Sequence, residues 1–263
     1  MSYVQLGYSD LALASLLVLA NAGLSLALNL GLARRMVLAT VRMVIQLSLV
    51  GLVLKSLFAV ASPWLTGLTA VAMILFAGRE IMARQERRFD GFWSYGLGTG
   101  SMLFAASLVT IFALTGPVRP DPWFDPRYAL PLLGMILGNT MTGISLGLHT
   151  LTTGLVRDRA GVEAQLALGH SRNEAFRPIV QAALTSALMP IVNSMAATGL
   201  VSLPGMMTGQ ILAGVDPAEA VKYQILIMFL IAGGTSLGAV VAVLGGAWRL
   251  SDQRHRLRLD RLK

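Results

Sequence analysis

The chain has 263 residues, of which 55% are hydrophobic and 13% charged, and its mean hydropathy is +0.67. That is too little charge to clothe a soluble globule, so the composition excludes one and requires an integral membrane protein. The net charge of +8 and the pI of about 10.6 do not point to nucleic acid, because the basic residues fall in short clusters between apolar runs, as membrane topology dictates. With no cysteine in the sequence, disulfides, thiolate metal sites and iron–sulfur ligation by this chain are excluded.

Taken in order, the apolar runs predict an all-α, polytopic fold with spans at about 10–33, 36–57, 63–82, 92–115, 129–151, 180–203 and 220–248, in one transmembrane domain covering 1–263. Each run is long enough for a hydrocarbon core about 30 Å thick. The first exceeds a signal-peptide core and reads as a span, not a cleaved leader. Alternating the sides places Arg34, Arg35, Arg79, Arg84, Arg87, Arg88, Arg157, Arg159, Arg172, Arg177 and the basic tail, 249–263, on one face. Lys55, Arg119, Arg127 and Lys222 lie on the other. Positive charge is retained in the cytoplasm, so the expected topology is N-terminus outside and C-terminus inside. Pro204, Gly205, Gly209 and Gly214 break helical continuity in 204–217, which reads equally as a bent extension, a re-entrant piece or an outer loop.

The stretch 157–178 is a polar island between apolar segments. Val162 and Leu166, four apart, give Gly161–Leu168 the apolar side of a short helix, and Gly169 is placed to cap it in a left-handed conformation. Ser171 followed by Glu174 is a capping box that starts a second helix. Helix, glycine, capped helix and return make an L-shaped cytoplasmic elbow on which a soluble partner can push.

Within the fifth span, Gly134 and Gly138, and again Gly143 and Gly147, are four apart, a spacing that lets helix backbones approach closely. Met135, Asn139, Thr142 and His149 share one face of that helix and should point at protein or a watery path, because an amide facing lipid is costly. Met195, Thr198 and Ser202 form a milder stripe in the sixth span, where Asn193 is the strongest polar group. The pattern Gly134-Met135, Gly138-Asn139 recurs as Gly205-Met206, Gly209-Gln210, which predicts two similar close-packed corners. Amides and thioethers bind a metal weakly enough to release it; the same groups also serve to hydrogen-bond and pack helices.

No lysine follows a glycine, so the phosphate loop of an ATPase is missing. The three histidines, His149, His170 and His255, are far apart in sequence, and there is no catalytic cluster and no pair of mid-membrane carboxylates of the kind an ion-coupled carrier needs. The chain is therefore expected to be no enzyme, to bind no cofactor of its own and to be driven from outside.

Glu163-Ala164 followed by Gly169 resembles the coupling loop of ABC-transporter permeases. With Pro131–Asn139, Glu163–Gly169, Asn193-Ser194-Met195 and the run Gly199–Pro217, nearly the whole chain resembles the FetB family of iron-exporter permeases, whose plant relatives are linked to aluminium tolerance. One departure is Thr142-Gly143, where the family pattern carries a second asparagine and an alanine. The resemblance implies a multi-pass inner-membrane permease that pairs with a second copy of itself and with two copies of a cytoplasmic ATPase carrying ATP and magnesium. It implies ATPase coupling through Glu163, Ala164, Leu166 and Gly169, and a transport path along Asn139, Thr142, Asn193, Met195, Met206, Met207 and Gln210. Iron is the implied substrate, with another metal or, through the plant relatives, a sugar nucleotide as alternatives; an ion-coupled secondary carrier is the rival mechanism.

Overall fold

A computed structural model describes residues 7–60, 62–252 and 254–263. Its helices are α1 (Tyr8–Ala27), α2 (Ala33–Val60), α3 (Pro63–Arg84), α4 (Trp93–Thr115), α5 (Pro126–Arg157), α6 (Arg159–Ala167), α7 (Arg172–Ala197), α8 (Gly205–Leu212) and α9 (Pro217–Arg249), followed by a 3-10 turn, Leu259–Arg261. All except α6 and α8, seven in number, are long and apolar enough to cross a membrane, and no strand occurs among the described residues.

The helix ends follow local chemistry instead of the apolar runs. α1 stops short of the predicted limit at 33 because Asn29 (φ 53°) and Gly31 (φ 69°) turn the chain into the left-handed region. α5 and α9 begin earlier than predicted, each with a proline at its first position, where a missing N–H costs nothing. Asp125 and Asp216 cap them, accepting from the backbone N–H groups of Arg127 and Ala218, each at 2.9 Å. The sixth span needs the largest correction: α7 is one helix over Arg172–Ala197, not a short capped helix followed by a span at 180–203. Pro178 and Pro190 lie inside it, each deleting one helical N–H, a loss that membrane helices tolerate when neighbours or water serve the freed carbonyl. Beyond Ala197, Gly199 adopts φ 91° and the chain turns, so Leu200–Leu203 are exposed apolar loop residues. The ambiguous segment 204–217 holds α8, then a turn at Gly214 with φ 93°.

The described chain divides into two compact units. In the first, α1 and α2 form a hairpin whose turn is held by Ser25: its hydroxyl oxygen accepts from the Leu32 N–H at 3.1 Å and its carbonyl accepts from the Leu30 N–H at 3.0 Å. In the second, α5 and α9 run through the centre with α3, α4 and α7 packed around them. Small residues let these helices touch. A Cβ on Gly143 would stand 2.7 Å from Thr235 Cγ2 and 3.1 Å from the Ala187 carbonyl, and one on Gly147 would stand 2.8 Å from Val243 Cγ2. Ala183, Ala187, Ala239 and Ala242 are fully buried along the same seams, which is how membrane helices associate when lipid supplies no hydrophobic drive.

Candidate functional site

At one end of the second unit the chain leaves α5 at Arg157, takes Asp158 as a corner, and builds α6. Val162 (1% exposed) and the half-buried Leu166 fasten α6 to the core cluster that contains Leu155, Ala175 and Phe176. The helix ends in a Schellman motif around Gly169 at φ 92°: the Gly169 N–H donates to the Leu166 carbonyl and the His170 N–H to the Gln165 carbonyl, each at 3.1 Å. α7 then starts with a reciprocal cap, in which the Ser171 N–H donates to Glu174 Oε2 at 2.8 Å and the Glu174 N–H to Ser171 Oγ at 3.4 Å. This frame holds a ridge outward. Glu163, Ala164, Gln165, Ala167, Leu168 and Gly169 are all exposed, and Glu163 makes a 2.8 Å ion pair with Arg159 one turn back. Of the four residues assigned to coupling, Glu163, Ala164 and Gly169 are on the ridge, whereas Leu166 faces the core. Leu168, 80% exposed, is the apolar group that projects, and the predicted stop at Gly169 was the signal that it would.

The polar face of α5 runs between two cavities. The first, about 250 Å³, is enclosed by the first turns of α5 and α9 and by α8, and includes Tyr128, Met135, Met206, Gln210, Glu219 and Tyr223. Two thioethers and an amide named from the sequence therefore meet here, and Gln210 Oε1 is buried with no hydrogen-bond partner among the described residues. Tyr128, Glu219 and Tyr223 were not singled out; as helix-start residues they carry no sequence sign of facing a cavity. Glu219 forms a 2.6 Å ion pair with Lys222. The second cavity, about 520 Å³, opens at the α6 end between α5 and α7, with His149, Thr153, Arg157, Asp158 and Pro178 on its walls. Thr153 Oγ1 is buried there without a hydrogen-bond partner among the described residues.

Between the cavities lie Asn139, exposed, and Thr142, half-buried. Each folds back on its own helix: Asn139 Nδ2 donates to the Met135 carbonyl at 2.9 Å and Thr142 Oγ1 to the Gly138 carbonyl at 3.1 Å. From Met135 to His149 the stripe covers about 21 Å at 1.5 Å per residue. Asn193 and Met195 are exposed on α7 and Met207 is half-buried on α8; none lines either cavity.

The four glycines of α5 singled out from the sequence divide in two. Gly143 and Gly147 sit in the tight seams described above. Gly134 meets only the Met73 methyl, at 3.4 Å, and Gly138, Gly205 and Gly209 have open space around them. The expected pair of close-packed corners is therefore not found within the chain; instead both methionines of the repeated pattern face one cavity.

The basic tail does not trail free. Leu250 is fully buried, and the chain returns to pair with the α3–α4 loop: the Lys263 N–H donates to the Arg88 carbonyl at 2.7 Å and the Asp90 N–H to the Arg261 carbonyl at 2.8 Å. Lys263 Nζ closes the contact on Asp90 at 2.6 Å, a hydrogen bond that holds the Asp90 carboxyl below its ordinary range. The same holds in the tail itself, where Arg258 lowers Asp260 to about 2.

Residues 8–250 match the model of the Uncharacterised protein family UPF0014. The chain is 36% identical to a UPF0014 membrane protein of Synechocystis over 87% of both chains. It is 31% identical to Probable iron export permease protein FetB of Escherichia coli over 97% of this chain and 96% of that one. It is 32% identical to the protein ALUMINUM SENSITIVE 3 of Arabidopsis thaliana over 88% and 82%. No solved structure matches. Seven apolar helices and a match over almost its whole length leave one conclusion: the chain is a multi-pass membrane protein that belongs to the UPF0014 family, together with the FetB permease.

Proposed function

We propose that this chain is the membrane subunit of an ABC transporter that exports iron or a related metal from the cytoplasm. It works as a homodimer in the inner membrane, N-terminus outside and C-terminus inside, with two copies of a separate ATP-binding subunit. The observation that carries the reading is the uncovered stripe on α5, which links a cavity lined by Met135, Met206 and Gln210 to one lined by His149. An amide such as Asn139 is too costly to leave against lipid, so a second copy covers this face and the two stripes form the path. Thioether and amide ligands suit a metal that has to be released again. Export of iron is supported by the similarity to the Escherichia coli protein named Probable iron export permease.

The drive comes from the other end. The ridge Glu163–Gly169 is rigidly capped, fastened to α5 and α7, and surrounded by arginines, so it lies in the cytoplasm by the positive-inside rule. A nucleotide-binding partner that grips it tilts α5 and α7 as one body. The absence of cysteine makes the test clean: single variants Gln165→Cys and Val201→Cys are treated with a membrane-impermeant maleimide in intact cells. Val201→Cys is expected to react, and Gln165→Cys only after the membrane is opened and then less when the ATPase is bound. Labelling of Gln165→Cys in intact cells would overturn the topology and the coupling role together.

A further inference from the structure

At the α6 end a hollow of two parts remains outside this account. Its wider part is a basin of about 830 Å³ between the start of α7, the end of α9 and the returning tail, where Arg172, Arg249, Arg254, Arg256 and Arg261 face a single lining carboxylate, Asp252. Asp252 is already engaged: it accepts from the Arg256 side chain and from the backbone N–H groups of Arg254 and Arg256, each at 2.9 Å. Arg172 and Arg261 donate to a serine hydroxyl and to backbone carbonyls, and among the described residues neither forms an ion pair within 4.0 Å, although Asp260 lies near enough for Arg261 to lower its carboxyl. The Arg249 guanidinium lies 5.1 Å from the Trp93 ring centre, and its Nε is buried without a hydrogen-bond partner among the described residues. Five arginines around one engaged carboxylate make a basin suited to an anion, through charge-assisted hydrogen bonds.

The narrower part, about 520 Å³, shares Arg172, Asn173, Trp248 and Ser251 with the basin and continues between α7 and α9 along Phe176, Val180, Leu244 and Ala247. Arg177 and Gln181 also border it, and the rest of its wall along the spans is apolar. Trp248 is in ring contact with Trp93, 6.0 Å between centres, and paired tryptophans at helix ends mark the headgroup level of a membrane. A soluble anion has no use for the apolar limb, whereas a diacyl lipid fills both parts.

We propose that this hollow binds one anionic phospholipid, its phosphate among the basin arginines and one acyl chain in the α7–α9 limb. The bound lipid joins the tail to the start of α7 and so stiffens the frame behind the elbow. The site is independent of what the protein transports.

The test uses the full chain in mild detergent, with dioleoyl phosphatidylglycerol, dioleoyl phosphatidylcholine, dihexanoyl phosphatidylglycerol and inorganic phosphate as probes, read by native mass spectrometry and thermal shift. Dioleoyl phosphatidylglycerol should bind one per chain at least tenfold more tightly than dioleoyl phosphatidylcholine. Arg254→Gln, at an exposed position, should weaken both phosphatidylglycerols about fivefold, the worth of one arginine at a lipid phosphate. Ala247→Phe should weaken the dioleoyl form and spare the dihexanoyl form, a pattern that general misfolding does not produce. Equal binding of phosphatidylcholine, stabilisation by inorganic phosphate matching that by the lipid, or loss of all lipid when the ATPase or a second copy binds would each overturn the proposal.

Discussion

Leu168 is where the coupling argument can be weighed. It stands 80% exposed at the C-cap of α6, so most of the about 1.5–3 kcal/mol that burial of a leucine yields is withheld until another surface covers it. Leu168→Ala removes most of that side chain, and docking of one ATPase subunit should weaken by about 1.5–2.5 kcal/mol, or about 10- to 60-fold. The fold should not notice, because the side chain contributes little to the core. Leu166→Ala makes the contrast: Leu166 packs against the core, so its loss should lower the unfolding temperature before it alters docking. Titration of the purified ATPase against permease in lipid nanodiscs, with hydrolysis rate and unfolding temperature recorded for both variants, separates the two. Unchanged docking by Leu168→Ala would show that the ridge is not what the partner grips.

Gly143→Ala should destabilise the bundle by about 1–3 kcal/mol, since the new Cβ meets Thr235 and the Ala187 carbonyl, whereas Gly138→Ala, with open space around it, should not; thermal unfolding in detergent compares them. Gly169→Ala should cost about 1–2 kcal/mol through its left-handed backbone alone, seen as faster amide exchange at 166–170 and milder in Gly169→Asn. Gln210→Leu removes a buried oxygen that has no partner among the described residues, so it should keep or raise stability yet reduce metal transport; full transport by this variant would take Gln210 off the path. The carboxyls of Asp90, Asp252 and Asp260 are held below their ordinary values, mainly by hydrogen bonds from Lys263, from the Arg256 backbone and from Arg258 respectively. Depressed carboxyls stabilise above their unfolded pKa and lose that contribution as pH falls through the folded one. Tail docking should therefore be constant from pH 8 to 5 and loosen below about pH 4, as followed by limited proteolysis of 252–263.

What could be read from the chain alone was whatever is encoded within a few residues. Ser171 and Glu174, or Leu166 and Gly169, need only their neighbours to set a cap, so the elbow is found where it was expected. The spans follow from hydropathy, but their ends do not: Leu200–Leu203 is as apolar as the helix before it, and Gly199 decides that it is loop. Facing directions depend on tertiary packing. Gly138 and Gly143 look alike in sequence, yet one meets open space and the other Thr235 on α9; Leu166 packs on the core cluster while Leu168, two residues on, is exposed. The first cavity brings Met135 of α5 to Met206 of α8, 71 residues on, and to the start of α9, and the tail's pairing with the α3–α4 loop rests on backbone hydrogen bonds that no periodicity announces.

The central claim is that force applied at the α6 ridge by a separate ATPase moves metal along the α5 stripe. The direct measurement is iron movement across proteoliposomes containing this chain with and without its co-purifying ATPase. Iron should cross only when both subunits and hydrolysable ATP are present, and at limiting ATPase the flux should fall about 10- to 60-fold in Leu168→Ala under conditions where that variant remains folded. Iron carried by this chain alone down an ion gradient, at the same rate without nucleotide, would contradict the account.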